Sequence, residues 1–246
     1  MKRILCPSIL IFCVLLGLAS CVTPNILLSP DLIQKAQVMD VEGRLGWLPD
    51  RHLSFGPYFT QQMHREAIYS ETEGFWIQKT QWKHALGFVL QGPKGAEARV
   101  RTLGTFVELD ETVFPWMDRS FEELSLYAGS VDYEGMDDSS AWDFFLHDPE
   151  GGKKVDGDDG LLRSRTGDVI RLRAVKEIEG QVMVLPRNNV GFEFFEKGEA
   201  IGAVSLLNAG RVWIREDLPQ ERQQVLAALS AALLVRERLE EQSNHF

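Results

Sequence analysis

The stretch "VLAALSAALLV", Val225 to Val235, restricts the folds open to this chain more than any other segment, because it is apolar at every position except Ser230. A helix that is apolar all round has no face for water, so protein or lipid must enclose it. At ~1.5 Å per residue it reaches roughly 17 Å, about half of a bilayer's hydrocarbon core. Charges close both ends: Glu221 and Arg222 before it, Arg236, Glu237, Arg238, Glu240 and Glu241 after. The expectation is a helix inside a protein core, packed through Val225, Leu226, Leu229, Leu233 and Leu234. Asp217 offers its cap, with Pro219 in the first turn and Gln220 placed as in a capping box.

What surrounds such a helix is readable upstream. From Trp47 onward, short apolar or alternating runs follow one another: "GFWIQ", "LGFVLQ", "ARVRTLGTFVEL", "LSLYAGSVDY", "WDFFLHD" and "VIRLRAV". Turn-rich pieces such as "GPKG", "EGMDDSS", "DPEGG" and "DGDDG" separate them. That spacing predicts antiparallel strands rather than strand–helix alternation. Nearer the end, Val190–Phe195, a turn at Glu196–Glu199, Ala200–Leu207, a turn at Asn208–Gly210 and Arg211–Ile214 read as a three-stranded meander. With many strands and one long helix, the economical fold is mainly β (α+β), a closed or nearly closed antiparallel barrel curled around the hydrophobic C-terminal helix.

The late hairpin "GFEFFEKGEAIGAV", followed by "RVWI" and the apolar helix, is similar to the ending of the tubby C-terminal-like superfamily, which includes tubby proteins and phospholipid scramblases. The similar region runs over about Trp142 to Leu239. The resemblance implies a closed barrel of about a dozen strands threaded by the C-terminal helix. Tubby's phosphoinositide site uses basic residues, and none can be matched to positions here, so only the fold carries over.

The amino terminus speaks to destination. Met1-Lys2-Arg3, an apolar run from Ile4 to Leu18 and then Ala19 and Ser20 follow a signal peptide's order. The run is shorter than the ~20 residues of a membrane-spanning helix. Leu18-Ala19-Ser20-Cys21 also resembles the lipobox of bacterial lipoproteins. That resemblance implies cleavage between Ser20 and Cys21, a diacylglyceryl group on the Cys21 thiol and an acylated amino terminus. Cys6 and Cys13 leave with the signal, so Cys21 is the one remaining thiol and no internal disulfide can form. Two or three acyl chains anchor stably. The expected organisation is a removed signal peptide over residues 1–20, a lipidated tether with a short helix (Leu32 to Met39) over 21–45, and one β-rich domain over 46–246. Val22 is not the aspartate that often retains lipoproteins at an inner membrane. In a source with two membranes the anchor is expected in the outer membrane, facing the periplasm.

Charge narrows the partners. Loss of Lys2 and Arg3 takes the formal charge from −10 to −12. The remaining chain has no contiguous basic run longer than Lys153-Lys154, which argues against nucleic acid as a partner. The expected partners are the membrane, through the acyl chains, and another envelope protein or a lipid.

A catalytic set is hard to find. His52, His64, His84, His147 and His245 lack metal-ligand spacing, and the chain contains no nucleophile elbow, phosphate loop or dinucleotide fingerprint. Ser130 lies near Asp132 but reads as a strand residue. Asp156, Asp158 and Asp159 crowd carboxylates that could hold Ca²⁺, yet the twelfth position from Asp156 is Gly167 where an EF-hand needs glutamate. An acidic turn is the plainer reading, and no cofactor is expected. The six tryptophans sit mostly in strand-like runs, as core or rim residues rather than a sugar-stacking platform. Two function classes compete: a lipid-anchored binding or scaffold module without chemistry, favoured here, and an envelope hydrolase acting on glycan, peptidoglycan or lipid through paired carboxylates.

Overall fold

A computed structural model describes residues 24–44, 52–73, 78–110, 124–133, 141–147, 159–181 and 188–236. Twelve strands close into one barrel: β1 Ala36–Glu42, β2 Ser54–Phe55, β3 Tyr58–Glu73, β4 Gln78–Gln91, β5 Glu97–Asp110, β6 Leu124–Tyr133, β7 Trp142–His147, β8 Gly160–Ser164, β9 Val169–Val175, β10 Gly191–Glu196, β11 Glu199–Ser205 and β12 Arg211–Arg215. Strands β2 to β12 follow the chain around the barrel, every neighbouring pair is antiparallel, and β1 closes the ring between β12 and β2. A short helix, α1 (Pro30–Lys35), precedes β1, and α2 (Gln220–Val235) ends the described chain.

The fold class read from the sequence is the observed one. Every residue of α2 from Gln224 to Val235 is buried. One wall holds it by two hydrogen bonds: Gln224 Nε2 donates to the Leu90 carbonyl of β4 at 3.0 Å, and Tyr127 on β6, two strands along the ring, donates its hydroxyl to the Ala232 carbonyl at 2.9 Å. Gly202 on β11 would bring an added Cβ within 3.5 Å of Leu226. A ring of this many strands leaves space along its axis. Here the helix fills that space, and Ala227, Ala228, Ala231 and Ala232, all fully buried, keep it slim. Ser230 satisfies its hydroxyl within the helix by donating to the Leu226 carbonyl at 2.8 Å.

Inward-facing residues alternate along most strands, as in Trp142, Phe144 and Leu146 of β7 and Leu162 and Ser164 of β8. Strand β11 instead is buried along nearly its whole length, because its outer face is covered too. The cover is a strap made of residues 25–29 and α1. Its Ile26, Leu28 and Leu32 form a second apolar cluster with Val175, Val190, Ala203 and Trp213. The strap is fixed by an Ile26–Ile178 bridge, by Leu27 N donating to Glu177 O at 3.0 Å, and by Ser29 N donating to the buried Glu193 carboxylate at 2.7 Å.

Several local expectations need correction. The helix expected over Leu32 to Met39 stops at Lys35: Ala36 turns extended, and Ala36 to Asp40 pair with Arg215 to Arg211 of β12 while Met39 and Val41 face the core. Thus the stretch expected as tether contains the strand that closes the barrel. Asp217 does not cap α2, whose N-cap is Pro219. Its carboxylate is taken by Arg215, with Nε and Nη2 donating at 2.9 and 2.6 Å, and this cation holds Asp217 below the usual carboxylate range. The meander matches the expected pieces closely, whereas β2, β3 and β8 fall outside the strand-like runs of the sequence. Within the run "GFWIQ", Gly74 to Ile77 lie outside the described residues.

Candidate functional site

Because α2 occupies the lumen, a ligand must be sought at the barrel's ends or on its wall. At the end where α2 enters, Arg222 in the helix's first turn reaches outward over the rim. Its Nη2 stands 3.3 Å from both Asp168 Oδ2 and Glu196 Oε1, and its guanidinium carbon lies 4.5 Å from the centre of the Trp142 ring. The side chain is 19% exposed, and among the described residues its buried Nη1 has no hydrogen-bond acceptor. The turn that presents Asp168 is built by Gly167 at φ +103° and by Ser164, whose hydroxyl accepts from Asp168 N at 2.9 Å and lies 2.8 Å from Thr166 Oγ1. A cavity of about 190 Å³ lies between Trp142, Ser164, Thr166, Glu221 and Arg222.

A larger groove, about 610 Å³, opens beside it on the outer wall of β9 and β10. Val169, Arg171 and Arg173 point outward from β9, and Phe195 and Lys197 bound the groove on the other side. Arg173 stacks over the Phe195 ring at 4.3 Å, and Arg171 pairs with Phe195 in the sheet register. Across the β8–β9 hairpin Arg163 faces Val169 and Leu161 faces Arg171, so cationic and apolar side chains alternate on one exposed face. Around the rim and groove, Arg171, Arg173, Lys197 and Arg222 stand against Asp168, Glu196 and Glu221, on a chain of net charge −10. Such a face suits an anionic group carrying some apolar surface.

The residues singled out from the sequence are scattered. Val225, Leu226, Leu229, Leu233 and Leu234 are core residues of α2. Ser20, Cys21, Asp156, Asp158 and His245 lie outside the described residues, while Asp159 accepts a hydrogen bond from Ala174 N at 2.6 Å. Thr60 O lies 2.8 Å from His52 Nδ1; His64 is exposed on β3, His84 is on β4 and His147 is half-buried on β7. Asp132 pairs with Arg101 at 2.9 Å, and Ser130 is a half-buried strand residue. Trp142 and Trp213 are buried rather than offered to a sugar. Among the described residues, no three of His, Cys, Asp and Glu gather as a metal site, and no helix is long and apolar enough to cross a membrane.

The arginine-rich face does not show as a run of consecutive basic residues. In a hairpin the relevant period is two. "RSRTGDVIRLR" places Arg163, Arg165, Arg171 and Arg173 at alternate positions on either side of a turn, and that spacing was the readable signal. Compared with protein-family models, curated proteins and solved structures, the chain matches none.

Proposed function

We propose that this protein is a lipid-anchored binding module of the bacterial cell envelope, acylated at Cys21 after removal of residues 1–20, with no chemistry of its own. In a double-membraned source it sits on the periplasmic face of the outer membrane. The closed barrel threaded by α2 is the architecture that a tubby-like relationship implies, and supports placing the domain beside that superfamily. One observation carries the binding reading: the helix fills the interior, and a basic groove lined by Arg171, Arg173 and Phe195 lies on the outside of an acidic chain. Its ligand is an acidic surface, of another envelope protein or of a lipid headgroup. The hydrolase alternative needs two carboxylates with room for substrate between them. At the rim the Arg222 guanidinium occupies the space between Asp168 and Glu196.

Two measurements test the proposal. Mass spectrometry of the mature amino terminus should find acylated Cys21, and Cys21→Ala should leave an unprocessed or soluble protein. Calorimetric titration with a polyglutamate peptide should give salt-sensitive binding that an Arg171→Glu/Arg173→Glu variant loses. Binding of equal strength by that variant would rule the groove out.

A further inference from the structure

We infer, on the reading that Cys21 is acylated, that the barrel is held against its own bilayer by the strap end and presents the Arg222 rim away from it. The groove then takes an acidic protein from the aqueous compartment rather than the headgroups of the membrane that holds it.

Three observations support this. The chain is secured to the barrel from Asn25 onward: Glu179 N donates to Asn25 O at 2.9 Å, Asn25 Nδ2 donates to Glu179 Oε2 at 3.3 Å, and Arg211 donates to Asn25 Oδ1. Between the Cys21 anchor and Asn25 an extended chain spans at most about 14 Å, so the barrel cannot stand off the lipid. Second, these contacts sit at one end of the barrel. Residues 177–179 follow the end of β9, and Arg211 begins β12, whereas the Arg222 rim is formed at the start of β9, the end of β10 and the first turn of α2. From Asp168 to Glu177 the chain runs the full length of β9, roughly 20 Å of barrel height for a strand tilted at about 40°. A tether that short keeps the strap end at the lipid, and the rim is formed a barrel's height away from that end. Third, the strap offers water an apolar side chain beside the anchor: Leu27 is 50% exposed, although Ile26 and Leu28 next to it are buried. A bilayer within about 14 Å would give that side chain an apolar surrounding.

The test uses the full-length acylated protein in vesicles of phosphatidylethanolamine and phosphatidylglycerol, with nitroxide labels on Leu27→Cys, Val169→Cys or Leu103→Cys. The thioether at Cys21 leaves that sulfur unlabelled. Leu103 is exposed on β5, six strands from β11 around the ring, and serves as the wall reference. Accessibility to lipid-soluble oxygen and to a water-soluble nickel chelate is compared with and without vesicles. The label at position 27 should gain oxygen access several-fold and lose access to nickel, while labels at 169 and 103 stay unchanged. Oxygen gain at 169, or none at 27 in vesicle-bound acylated protein, would overturn the orientation while leaving the anchor reading intact. An unacylated Cys21 in the mass spectrum would remove the anchor reading and the orientation with it.

Discussion

Arg44 donates through Nε to the carbonyl of Leu234, 3.0 Å away and 190 positions later in the chain. The same guanidinium donates through Nη1 to the carbonyls of Leu206 and Asn208, at 2.8 and 3.1 Å. The last turn of a helix leaves carbonyls without partners, and its negative dipole end favours a cation. Arg44 therefore closes the buried end of α2 and ties it to the β11–β12 turn. It does for the helix's exit from the barrel what no side chain of α2 itself can do, since the last turn carries no basic residue.

Replacing Arg44 by Ala is expected to lower stability by about 1–3 kcal/mol, because partly buried carbonyls lose charged donors. Lys should restore only part, having one charged head for three acceptors. Denaturant midpoints of the three proteins check this.

Gly210 sits at φ +98°, and a Cβ there would lie 2.5 Å from Leu234 Cδ2 and 3.2 Å from Ser205 O. Gly210→Val should cost about 1–3 kcal/mol through overpacking, with further loss from the left-handed backbone. A melt indistinguishable from the parent would show that the turn does not press on α2 as described.

Burial pushes the Tyr127 phenol up to about 12 against an ordinary 10.0, and Tyr58 moves likewise. The neutral phenol is thus the form the fold prefers. Below pH 10 both folded and unfolded chains hold the proton and the full contribution is present; above it the unfolded chain releases first. Stability should fall as pH rises from 10 towards 12, and Tyr127→Phe should flatten that fall. At neutral pH the same variant should lose about 1 kcal/mol, for the hydrogen bond to the Ala232 carbonyl. Urea unfolding across the alkaline range measures both.

How much of this was legible depended on whether a residue's role is local. The burial of α2 could be read from Val225 to Val235 because a helix with no polar face has one kind of environment. The meander β10–β12 was equally plain, since strands covered on both faces give nearly continuous apolar runs such as "GFEFF", interrupted by Glu193, and "RVWI" after its leading arginine. β3 resisted because its wall faces water: His64, Arg65 and Glu66 are exposed, Gln62 takes φ 51° at a register shift, and the inward Thr60 is polar, held by Leu53 N at 2.8 Å. The strand role of β1 was hidden by the start signal of α1, since Pro30 and Asp31 say where a helix begins and nothing about Lys35 being its end. Arg44 and Arg222 were unreadable for a different reason. Their meaning lies in partners far along the chain, Leu234 for one and Asp168 and Glu196 for the other.

The central claim is that α2 is the core of a self-contained barrel rather than a membrane contact, so that binding is left to the outer wall. The measurement that tests it most directly compares a chain beginning at Val22, which has no acyl chains, with its Leu229→Asp variant, by thermal melt and by liposome flotation. Leu229 is fully buried, and a charge there has no partner, so the fold should be lost. The account predicts a parent that melts cooperatively and does not float, and a variant without a melting transition. A variant that melts like its parent, beside a parent that floats and a variant that does not, would contradict it.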